Sequence, residues 1–137
     1  METIADWYVQ DRVIYHRPVG VETIEIVQQN NDDLVKLLDK GIPLVHVIVD
    51  ARYLTKFPTS ILKLSKATSF LSHPSIGWVI TISNNPLVTF LGGMLPQLGS
   101  LTRYRVVSEL DSALTFLKEQ DSTLDWSTVN EALLTFK

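Results

Sequence analysis

The chain has 137 residues, 45% of them hydrophobic and 20% charged, with a formal net charge of −3. That balance describes one packed domain and excludes a disordered chain. The lack of cysteine excludes disulfide frameworks, thiolate catalysis and cysteine-based zinc sites, and Lys and Arg are nowhere gathered into the patch that a nucleic acid needs.

Asp6–Gln10 and Val13–Arg17 are rich in aromatic and β-branched residues and predict a hairpin turning at Asp11-Arg12, with Pro18 and Gly20 closing the second strand. Residues 21–40 predict a helix burying Ile24, Val27, Leu34, Leu37 and Leu38, interrupted by the polar stretch Gln28–Asp33 and ended by Gly41 at the C′ position. Leu44–Asp50 is almost continuously apolar, as in a strand covered on both faces. Pro58 opens a second helix over Thr59–Leu71, and Gly77–Ser83 forms another buried strand.

Asn84-Asn85-Pro86 starts a helix running to about Leu98. It is apolar nearly all round, which predicts deep packing or an interface, with Gly92-Gly93 serving close packing. Arg103–Val107 alternates charged and apolar residues like an edge strand. Ser108-Glu109-Leu110-Asp111 has the form of a capping box opening a helix through Leu117. Asp125–Phe136 predicts a last amphipathic helix carrying Trp126, Val129, Leu133 and Phe136, assigned to self-association.

The order is β-β-α-β-α-β-α-β-α plus the terminal helix. It predicts one α/β domain over 1–137, with its core in 6–120: a mixed sheet opened by a hairpin, parallel thereafter, with helices packed on it. Met1–Asp6 has neither the basic nor the apolar run of a signal peptide. The apolar stretches Leu44–Val49 and Leu87–Leu95 fall short of the roughly 20 residues that span a bilayer. The expectation is a cytoplasmic chain without a membrane span.

Motif chemistry is sparse. His16, His46 and His73 lack metal-ligand spacing, and no Gly-x-Ser-x-Gly elbow or phosphate-binding loop occurs, so neither metal nor cofactor is expected. Position is the remaining guide, because open α/β sheets gather function at the carboxyl ends of parallel strands. Asp50 and Arg52 follow one buried strand, Ser83, Asn84 and Asn85 follow the next, and Thr59 and Ser60 lie where a helix begins. Each has two readings, as a turn or cap residue or as part of a binding surface.

In the order of its elements over about residues 6–120, reinforced by the segment Val47–Leu62, the chain resembles the STAS domains, the sporulation and stress anti-sigma-factor antagonists, and the related SpoIIAA-like group. Those domains have an apolar strand ending in Asp, followed by Asp-Ser-Ser-Gly-Leu at a helix start. Asp50 matches the strand-end Asp, Thr59-Ser60 fall at the Ser-Ser pair and Leu62 matches the Leu, while Pro58 replaces the acid and Ile61 the Gly. Val107–Leu117 resembles the closing strand and helix of the SpoIIAA-like group.

The resemblance implies a non-catalytic regulatory domain. Its partner would be a protein, a kinase or regulator, and a phosphate on Thr59 or Ser60 would switch binding. The apolar helices also point to a homodimer. The alternative is a domain that binds or senses a small apolar ligand or lipid, as lipid-binding relatives in the SpoIIAA-like group imply, supported by the 87–98 helix with Trp78 and Phe90. An enzyme is the third reading, and His46, Asp50 and Arg52 are then the group to suspect.

Overall fold

A computed structural model describes residues 1–99 and 101–135. Strands β1 (Ile4–Val9) and β2 (Val13–Arg17) form the opening hairpin, turning at Asp11, whose φ of 65° is left-handed. After a two-residue strand β3 (Gly20–Val21) come helix α1 (Ile24–Lys40), β4 (Val45–Asp50), a short β5 (Leu54–Lys56) and α2 (Ile61–Ala67). A 3-10 turn at Ser69–Ser72 leads into β6 (Ile76–Ile82), followed by α3 (Pro86–Leu98), β7 (Tyr104–Val107) and α4 (Leu110–Gln120).

The main sheet has the order β1-β2-β4-β6-β7, with β1 antiparallel to β2 and the other pairs parallel. This is the expected mixed sheet, and β7 is the expected edge strand. Two-residue alternation divides its side chains between two cores. Ile14, Val45, Val47 and Val79 face the side packed by Leu34 and Leu38 of α1 and by Phe70 and Leu71. Tyr15, Ile48, Ile80 and Ile82 face Ala113, Phe116 and Leu117 of α4.

Several local expectations are corrected. The helix expected over 21–40 begins at Ile24, with Thr23 accepting a hydrogen bond from the Ile26 amide, because Gly20–Val21 pairs with β5 instead. The helix expected over Thr59–Leu71 stops at Ala67 and becomes the 3-10 turn. Buried Asn31 explains both this break and the polar stretch in α1: its Oδ1 accepts from the Phe70 amide and its Nδ2 donates to Ser69 Oγ. Gly41 is not left-handed (φ −78°); a Cβ there would lie 2.5 Å from Val45 Cγ2 and 2.9 Å from Trp7. Gly92 does sit close to Thr81, but a Cβ on Gly93 would meet nothing within 4 Å. The capping box does not form: Glu109 is the N-cap of α4 and makes no side-chain capping bond.

The continuous helix expected over 125–136 is replaced by 3-10 turns at Trp126–Thr128 and Glu131–Leu134, and Phe136 lies outside the described residues. Local bonds compete with the helix here: Asp125 Oδ1 accepts from both the amide and the hydroxyl of Ser127. The Asn130 amide donates to Tyr8 O, a carbonyl left over where the β1–β2 register shifts between Trp7 and Val9. The segment therefore lies along its own β1. Trp126 meets Tyr8 edge-on at 6.4 Å, and Val129 and Leu133 pack against the α4-side core. The apolar face assigned to self-association is covered by the chain itself.

The tail thus acts as part of the core. Trp126→Ala is expected to destabilise the fold by about 2 kcal/mol, below the cost of a fully buried Trp because Trp126 is only partly buried. Urea unfolding monitored by circular dichroism measures this, and sedimentation should show the same oligomeric state for variant and parent.

Candidate functional site

Strands β4 and β6 run parallel and both end at one rim of the sheet, where Asp50, Arg52, Ser83, Asn84 and Asn85 follow them. Asp50 is fully buried on the α4 face, and its carboxylate is completely engaged. Tyr15 Oη donates to Oδ2 at 2.6 Å. Arg52 grips both oxygens, Nε to Oδ1 and Nη2 to Oδ2, each at 2.8 Å, and the Arg52 amide also donates to Oδ1. Charge-assisted forks of this kind are strong and fix orientation. Burial, then the hydrogen bond to Asp50, raises the Tyr15 pKa, and the bond to Asp50 raises that of Arg52. The trio locks the turn after β4.

Ser83 and Asn85 are likewise committed. Buried Ser83 Oγ accepts from the Asn85 amide at 3.0 Å, and Asn85 Oδ1 accepts from the amides of Leu87 and Val88 to cap α3. Asn84 is exposed and donates to Ser108 O at 3.4 Å.

Thr59 and Ser60 are both exposed. Ser60 Oγ caps α2 through the Lys63 amide at 3.4 Å. Thus Asp50, Arg52 and Tyr15 form one cluster, Ser83–Asn85 form a cap, and Thr59 and Ser60 stand at the start of α2; no hydrogen bond links the three groups among the described residues.

His46 does not join Asp50. The two are four residues apart on β4, about 13 Å at the rise of a strand. His46 Nε2 donates to Asp121 Oδ2 at 2.8 Å, and the same oxygen accepts from Arg12 Nη2 at 2.8 Å. The grouping of His46 with Asp50 and Arg52 is therefore not present. His16 and His73 lie apart from it: His16 Nδ1 donates to Ile4 O and His73 bonds Asp39.

The surroundings of His46 escaped the sequence reading. Between Val45 and Val47, β4 skips a residue of β6 opposite Ile76–Val79. The Trp78 amide at this irregularity donates to His46 Nδ1 at 2.9 Å. The imidazole lies so close to Gly77 that a Cβ there would be 2.5 Å from Nδ1. Burial depresses the His46 pKa despite the Asp121 hydrogen bond. Burial alone would raise the Asp121 pKa, but bonds from Thr123 and His46 outweigh it and lower the value to about 2.

The apolar-ligand reading drew on the 87–98 helix with Trp78 and Phe90. Trp78 packs edge-on against Phe116 of α4 at 4.8 Å, while Phe90 projects from α3 with 58% of its surface exposed. They lie on different sides of the sheet, because Trp78 belongs to the α4-side core and α3 packs on the opposite face through Leu91. The outer face of α3 presents Leu87, Phe90, Met94 and Leu98, and neighbouring α2 presents Leu62. Helix α3 contains no charged residue.

Burial keeps His16 and His46 neutral in the folded chain, whereas the unfolded chain takes up a proton near the ordinary value of 6.5. Their contribution is complete above that pH and is lost as the pH falls toward the depressed folded values. Between about pH 7.5 and 5.5, stability is expected to fall by about 1–3 kcal/mol. Urea titrations at both values measure it, and His46→Gln should flatten the dependence.

No family model matches the chain, and no curated protein matches it. Among solved structures, that of the anti-sigma factor antagonist SpoIIAA in its unphosphorylated form aligns with a TM-score of 0.57. The alignment covers 85% of this chain and 96% of that one, at 13% identity. At that identity the likeness is one of architecture. The chain has the SpoIIAA fold, the STAS-type arrangement expected from the order of its elements over about residues 6–120.

Proposed function

We propose that this chain is a non-catalytic, cytoplasmic regulatory module that binds a protein partner over the outer faces of α2 and α3, with a hydroxyl at Ser60 or Thr59 as its switch. The observation that carries this reading is an exposed apolar surface free of charge on α3, beside a helix start bearing two exposed hydroxyls. Contiguous exposed apolar residues mark interaction surfaces. The fold shared with an anti-sigma factor antagonist supports the same reading. So does the engagement of Asp50, Ser83 and Asn85 in the turns and caps that hold the rim.

A phosphate on Ser60 adds about two negative charges. Leu62, 72% exposed, lies two residues away. An apolar partner seated on Leu62 and α3 would then have to desolvate the phosphate or leave. Pro58 and Ile61 stand where the STAS pattern has an acid and a glycine, and Ile61 is partly buried against Leu64 and Leu91, so the helix start is held by packing.

Affinity capture from the source organism tests the reading, comparing the parent with Ser60→Ala, Ser60→Asp and Phe90→Asp. One specific protein should be retained by the parent and by Ser60→Ala. Ser60→Asp and Phe90→Asp should reduce its recovery by roughly tenfold or more at unchanged melting temperature. Equal recovery by all four proteins would remove this surface from the function.

A further inference from the structure

A pocket of about 150 Å³ lies on the face of the sheet opposite α4, roofed by α1, α2 and α3. Val49 and Val79 form its floor and Leu34, Leu64 and Leu91 pack over it. It is on the other side of α3 from the exposed Phe90 and Met94, so it is distinct from the partner surface. Its walls are overwhelmingly apolar, and a water needs two to four polar partners to be held. An apolar cavity of about this volume stays dry and accepts a benzene-sized molecule.

The polar residues of the lining are His16, Glu22, Asn30, Asn31, Thr81 and Thr68, the last committed to Leu64 O. His16 lines the pocket and is 5% exposed. Its Nδ1 donates to Ile4 O at 3.0 Å, which makes Nε2 the acceptor of the neutral ring, and Nε2 has no hydrogen-bond partner among the described residues. Asn31 Nδ2 donates to Ser69 Oγ and its Oδ1 accepts from the Phe70 amide, so its stronger commitments are to the protein itself. Half-buried Glu22 also lines the pocket, accepting from Asn30 Nδ2 at 3.1 Å, and the described lining contains neither Lys nor Arg. A carboxylate or phosphate entering here would find one carboxyl group and no cation.

We propose that this pocket binds one small, neutral, ring-sized apolar molecule whose single hydroxyl donates to His16 Nε2. The class is that of phenol and simple alicyclic alcohols; the carboxylate of a fatty acid would meet Glu22 and no cation. This site goes beyond the partner-binding reading and does not depend on it.

The test is titration of the full chain with phenol, toluene and benzoate, read by methyl resonances of Val88, Leu91 and Leu95 and by melting temperature. Phenol should saturate, shift those resonances and raise the melting temperature. Toluene, lacking the donor, should bind roughly fivefold more weakly. Benzoate should not bind. Leu91→Trp, or Val88→Phe where the former fails to fold, should abolish phenol binding, and His16→Phe should erase the preference for phenol over toluene. No phenol saturation, or benzoate binding as well as phenol, would overturn the site. Equal affinity for toluene and phenol, or an unchanged preference in His16→Phe, would overturn the role of His16.

Discussion

A parallel strand buried on both faces must be covered on both, and the coverage here is unequal. Five strands at about 4.8 Å spacing place the outer axes about 19 Å apart, while a helix with its side chains is about 10 Å wide. Three helices and a 3-10 turn cover one face. Among the described residues only α4 packs as a helix on the other, so Leu124, Trp126, Val129 and Leu133 complete that layer. The tail has little freedom to be an independent helix: its backbone follows the carbonyl that β1 leaves open at Tyr8.

The main strands and the helices α1, α3 and α4 were legible because their apolar patterns are strong: continuous in β4 and β6, helical in α1 and α4. What escaped was structure set by a single side chain meeting a distant backbone group. Asn31 ends the run of α2 from 39 residues away in sequence. His46 receives the Trp78 amide across a sheet irregularity, and Gly77 is required by the imbalance in space that this creates. Neither spacing nor composition marks such contacts.

The residues expected past β4 and β6 do gather at one rim of the sheet, but they divide by burial. Asp50 and Ser83 are inside, where desolvation obliges every lone pair to find a donor, and they hold turns together. Thr59, Ser60 and Asn84 are outside, where a hydroxyl or amide remains accessible. The sequence pattern that aligns Asp50 with Thr59-Ser60 contains no sign of this division, because burial depends on which face of the sheet each residue meets.

Helix α3 belongs to two environments at once: Val88 and Leu91 look inward to the pocket, while Leu87 and Phe90 look outward to solvent. A rigid rod cannot move one side without the other. Should an occupant of the pocket shift how α3 seats on Thr81 and Val79, its binding is coupled to whatever grips the outer side, and thermodynamic reciprocity makes the two affinities change by the same factor. The helix would then act as a shared lever, with small-molecule concentration read out as partner occupancy.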